Sequence, residues 1–151
     1  MKDGGAAVKK TKAIRNVPNQ VSILIVDDVE EVRLLLQTVF ENQKSEKRLK
    51  ISTVTAENVM QARYEVEHRC PDIILLDALL NSGESAQDWA RELARFPQLF
   101  LMTGGPSVGT GIVNLERPVF RKPDSIQDLE RDAGRIWLPK IMKSFLEKIG
   151  S

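Results

Sequence analysis

The chain has 151 residues, 42% of them hydrophobic and 28% charged, a balance suited to one soluble domain with a real core. With 22 basic and 21 acidic residues the net charge is +1, so the whole molecule offers neither a basic field for nucleic acid nor an excess for an anionic membrane. Cys70 is the only cysteine, which rules out an intramolecular disulfide and a cysteine metal set, and the side chain reads as a small buried group. The sequence has no apolar run of about 20 residues and no signal-peptide core, so a cytoplasmic location is expected.

Met1 to Gln20 is small, basic and without apolar period, and reads as a disordered tail or linker ahead of a domain spanning 21–149. VSILIV is then a buried strand, followed from Glu30 to Asn42 by an amphipathic helix with Val32, Leu35, Leu36, Val39 and Phe40 on one face. The charged stretch Gln43 to Lys50 is a solvated loop before the strand ISTVTA. A second helix runs from Asn58 to about Arg69 with Val59, Ala62 and Val66 inward, and the only histidine, His68, is a solvated residue of its last turn.

IILLD is a continuous apolar run of the kind expected in a strand covered on both faces. Ser85 caps a third helix, with Asp88 three residues on and Trp89, Ala90 and Leu93 inward, ending at Pro97. LFLM and VFR supply two further strands. Asp124 or Ser125 caps a final helix carrying Ile126, Leu129, Ala133, Ile136 and Trp137, which Pro139 should kink or break. Beyond it, Ile141, Phe145, Leu146 and Ile149 form a stripe for the core or for a homodimer surface. Alternation of strand and helix argues an α/β fold, a doubly wound parallel sheet with helices on both faces.

In such sheets ligands bind at the carboxyl ends of the strands. Five polar residues stand there: Asp27 and Asp28 after SILIV, Asp77 after IILL, Thr103 after LFLM and Lys122 after VFR. Two carboxylates about 4 Å apart repel by roughly 4 kcal/mol at an effective dielectric near 20, so three need a cation. Lys122 supplies one positive charge, and a hard divalent ion with oxygen ligands, Mg²⁺, suits the remainder. An Asp beside a metal, an ammonium and a hydroxyl is a candidate phosphoryl acceptor, and Asp77 is the best placed. VDDVEEV lacks the glycines of a dinucleotide-binding turn, and a P-loop is absent.

The ordered set Asp-Asp, Asp, Thr, Lys-Pro resembles the receiver domain of two-component response regulators, from about Val21 to about Ile149. The resemblance implies a five-stranded, flavodoxin-like receiver fold in which Asp77 accepts a phosphoryl group. It implies that Asp27, Asp28, Asp77 and the backbone carbonyl of Leu79 hold Mg²⁺. Thr103 would bond a phosphoryl oxygen, Lys122 would pair with Asp77 and then its phosphate, and a cis peptide would join Lys122 to Pro123. The implied partners are a histidine kinase or histidine phosphotransfer domain and a downstream protein.

The chain departs from that pattern in three places. Between Thr103 and Lys122, TGGPSVGTGIVNLERPVFRKP opposes regular helix, so the family's fourth helix should be absent or short, with Ile112 to Arg117 supplying a turn at most. Val119 stands where an aromatic switch residue is usual, while alternation turns Phe120 to the opposite face as core. The acceptor is followed by ALLNSGES, and neither Leu79 nor Gly105 carries a polar group to guide water, which implies a long-lived phosphorylated state. The expected role is a phosphoacceptor, not an enzyme acting on other substrates; a metal-dependent phosphatase would need a second nearby acid or base. The alternatives are a phosphorylation-independent interaction module and a receiver excised from a hybrid histidine kinase, since the receiver-like region leaves no room for an output domain.

Overall fold

The computed structural model describes residues 19–43, 49–80, 83–93, 96, 98–104 and 117–149. The basic tail apart from Asn19 and Gln20, most of the charged connector, Pro97 and the glycine-rich stretch 105–116 lie outside the described residues, and with them the expectations on a disordered tail and an absent fourth helix.

Five strands form one parallel sheet: β1 (Gln20–Val26), β2 (Lys50–Ala56), β3 (Ile73–Asp77), β4 (Leu99–Gly104) and β5 (Val119–Lys122), in the order β2-β1-β3-β4-β5. The helices are α1 (Glu30–Glu41), α2 (Val59–Arg69), α3 (Ala86–Glu92), α4 (Ile126–Asp132) and α5 (Leu138–Ile149), with a π-helical turn at Ala133–Trp137. This is the doubly wound arrangement expected from the alternation of elements.

Strand parity explains the two cores. Val21, Ile23 and Ile25 of β1, Ile73 and Leu75 of β3, and Phe100 and Met102 of β4 face one side, against α1 and the C-terminal helices. Their neighbours Leu24, Val26, Ile74, Leu76, Leu99 and Leu101 face the other side, against α2 and α3. Both faces of β3 are therefore buried, which is why its sequence is apolar without alternation. Phe120 joins the first core, as parity demands, stacked between Phe100 and Trp137 at centroid distances of 6.0 and 5.1 Å, while Val119 packs on the second.

Ser85 and Ser125 cap α3 and α4 by accepting from the N–H groups of Asp88 and Asp128. The stripe on α5 belongs to the core: Ile141 and Phe145 are buried, and Leu146 and Ile149 pack against the same cluster.

Four local expectations are corrected. α3 stops at Glu92, where the N–H of its C-cap Leu93 turns back to bond carbonyls of the last turn. Leu49 is buried with the first core, and the charged connector is not solvated to its end. Cys70 is exposed, because it takes the left-handed conformation (φ 46°, ψ 61°) that ends α2 and turns the chain into β3. Helical structure runs through Pro139 without a break. The π turn bonds the Leu138 N–H to the Ala133 oxygen, five residues back, and so widens the backbone where the proline ring would press on the preceding turn. Gly134 fits the same turn, since a Cβ there would stand 3.2 Å from Gln43 Nε2 and 3.4 Å from Val39 Cγ1, in and just after α1. Among the described residues no helix is long and apolar enough to cross a membrane.

Candidate functional site

The chain leaves β1 outward to β2 and crosses back to β3, so the topological switch lies between β1 and β3, where a doubly wound sheet opens a crevice. Asp27 follows the last residue of β1, Asp77 ends β3, Thr103 is the penultimate residue of β4 and Lys122 ends β5. Register brings them together: Asp77 lies opposite Met102, and Gly104 opposite Lys122.

Asp27 and Asp77 are held in the same way. In each, Oδ1 accepts the N–H two residues on, from Val29 and Leu79 respectively, both at 2.9 Å. Such Asx-type turns fix the carboxylate plane and aim the other oxygen. Both Oδ2 atoms meet Lys122 Nζ, at 2.6 Å from Asp27 and 3.1 Å from Asp77. The expected pairing of Lys122 with Asp77 is present, and a shorter one with Asp27 accompanies it.

The site is largely dry. Asp27 is fully buried, Asp77 is 4% exposed and the Lys122 side chain 15%. Burial pushes the Asp27 carboxyl above its ordinary range, with Asp77 adding to the push and Lys122 opposing it. Burial acts to lower the Lys122 ammonium, but the charges of Asp27 and Asp77 outweigh it and hold that group above its ordinary value. Lys122 therefore stays charged and binds the two acids together.

Asp28 is half-buried beside them, and one ligand oxygen from each of Asp27, Asp28 and Asp77 lies within 4.8 Å of the others. An all-oxygen donor set of this size fits Mg²⁺. Leu79, whose carbonyl was expected to join them, follows directly in the Asp77 turn and is exposed at the pocket rim. Thr103 is fully buried, and among the described residues its Oγ1 has no hydrogen-bond partner. An unpartnered buried hydroxyl costs about 1–3 kcal/mol, so its retention fits a group that acquires a partner when the pocket is filled.

Two expectations change. The described residues contain no cis peptide, so Lys122 and Pro123 are joined in trans, the form X–Pro bonds favour by about 0.5–1 kcal/mol. Arg33 was not expected at the site, yet its Nη1 donates to the Asp27 carbonyl at 2.8 Å. The signal was available, because helical side chains lean toward the N-terminus and Arg33 sits in the second turn of α1.

No protein-family model matches the chain, and neither does any curated protein. Solved structures do resemble it. The response regulator domain of CheB from Thermotoga maritima matches with a TM-score of 0.64 at 16% identity, over 83% of this chain and 96% of that one. A CheY-like response regulator receiver domain from Methanospirillum hungatei gives 0.64 at 17%, over 86% and 96%. The N-terminal receiver domain of a two-component response regulator from Bacteroides fragilis gives 0.61 at 19%, over 83% and 97%. The chain has the fold of response-regulator receiver domains.

Proposed function

We propose that this chain is a phosphoacceptor of two-component or phosphorelay signalling, with Asp77 taking a phosphoryl group from a histidine kinase or phosphotransfer histidine. The observation that carries this reading is Lys122 bridging the buried Asp27 and Asp77 beside the unpartnered hydroxyl of Thr103.

In the transfer, a carboxylate oxygen of Asp77 attacks phosphorus, a P–O bond forms and the P–N bond to the donor imidazole breaks. The imidazole leaves with the bonding pair and takes a proton from solvent. Lys122 neutralises charge on the phosphoryl oxygens once the Asp77 carboxylate has become an acyl phosphate, and Thr103 donates its hydroxyl to one of them. Asp27, Asp28, Asp77 and the Leu79 carbonyl would hold Mg²⁺, which supplies further positive charge to those oxygens. Altered protein contacts then carry the signal.

The test is incubation with a small phosphodonor and Mg²⁺, followed by intact mass. One added phosphoryl group is expected, lost in Asp77→Asn and on chelation of the metal. Absence of uptake from both a small donor and a histidine kinase would instead support an interaction module that keeps the pocket without using it.

A further inference from the structure

Arg33 is tied to the pocket without lining it. Its side chain is 15% exposed, Nη1 donates to the Asp27 carbonyl, and Nη2 lies 3.8 Å from Glu57 in the β2–α2 loop. Helix α1 begins at Val29, an N-cap with no side-chain hydrogen bond to offer, so the turn Asp27–Val29 lacks the usual device that fixes a helix start. One bond inside the turn and three from outside it hold the segment. The Asp27 N–H donates to the Ala56 oxygen, its Oδ1 accepts from Val29, its Oδ2 accepts from Lys122, and its carbonyl accepts from Arg33. The carbonyl bond acts on the oxygen of the peptide between Asp27 and Asp28 itself, and so bears directly on the direction in which Asp28 leaves it.

We propose that Arg33 is a positioning residue for cation binding: by holding the Asp27 carbonyl it fixes the Asp27–Asp28 peptide so that both carboxylates meet the ion with Asp77. The proposal rests on the reading of this pocket as a Mg²⁺-assisted phosphoacceptor. A guanidinium suits the task, since it stays charged and its planar fork can serve a carbonyl and a carboxylate at once. Groups that orient metal ligands from behind commonly govern affinity by tenfold or more.

The test compares wild type with Arg33→Met, which keeps most of the apolar stem, and Arg33→Lys. Mg²⁺ affinity is measured on the folded protein by amide NMR titration, and phosphoryl uptake from a small donor is followed against Mg²⁺ concentration. Arg33→Met should bind Mg²⁺ about tenfold more weakly, and its half-saturating Mg²⁺ for uptake should rise by the same factor while the rate at saturating Mg²⁺ is nearly retained. Arg33→Lys should recover part of the affinity. A purely structural role would lower stability and leave the affinity of the folded protein unchanged, and that result overturns the proposal. Should Arg33→Met fail to fold, Arg33→Gln carries the same expectation, and wild-type affinity in it is equally fatal. A wild-type chain that neither binds Mg²⁺ nor takes up phosphoryl overturns the underlying reading instead, so the two failures are distinguishable.

Discussion

Two clusters in this molecule have the same formula, one cation between two carboxylates, and opposite surroundings. Lys122 joins Asp27 and Asp77 in the interior of the carboxyl edge. Arg63 of α2 joins Glu84, ahead of α3, and Glu92, in its last turn, and its guanidinium lies 5.9 Å from the Trp89 ring. The side chains of the second cluster are 37–53% exposed. Water and salt screen that cluster, so it contributes little beyond fastening α2 to α3. The buried cluster carries a desolvation cost that its Coulomb attraction does not clearly repay. The difference separates an exposed tie between helices from a buried charge cluster that stability alone does not account for.

Lys122→Met should break the comparison most sharply. It leaves two buried carboxylates without their cation and should cost about 3–5 kcal/mol in urea unfolding. Asp27, already pushed up by burial, would take up a proton and relieve part of that loss, and added Mg²⁺ should restore stability in the variant more than in wild type. Insensitivity of the variant to Mg²⁺ would contradict the metal assignment.

Thr103→Val acts in the opposite direction. Removing an unpartnered buried hydroxyl should stabilise the fold by about 1 kcal/mol, while loss of one hydrogen bond to a charged phosphoryl oxygen should slow uptake about tenfold. A variant that is both less stable and fully active would show that the hydroxyl serves the fold.

Arg63→Met sets the lower bound, with a small loss of stability and no change in phosphoryl uptake. The exposed cluster also carries a pH dependence. The hydrogen bond from Arg63 holds Glu84 below its ordinary value of 4.5, so its contribution is present above that value and fades as pH falls through the lowered one. Acid titration of wild type and Arg63→Met should diverge only above that range. Equal divergence at all pH values would mean that Arg63 acts through its packing on Trp89.

Much of the pocket was legible because it rests on strand ends. Once SILIV, IILL, LFLM and VFR are adjacent parallel strands, the residues that follow or end them share an edge, and Asp27, Asp77, Thr103 and Lys122 do so. Apolar runs also gave the buried strands, and Ser85 and Ser125 marked two helix starts through their short side-chain oxygens. Pro139 was read as a kink or a break, and the helical structure continues through it after a π turn that no local sequence pattern announces. Cys70 misled because the small apolar character of a thiol says nothing of a left-handed helix end.

By itself, then, the sequence determined the fold class, helices on both faces of the sheet and the set of polar residues at its carboxyl edge, since these follow from the alternation of elements and from which residue ends each strand. Tertiary structure alone decided that Lys122 shares itself between Asp27 and Asp77, that the Thr103 hydroxyl has no partner among the described residues, and that Arg33 reaches the Asp27 carbonyl. The physical reason is that burial and hydrogen-bond satisfaction depend on distances between elements far apart in the chain, such as the 95 residues separating Asp27 from Lys122.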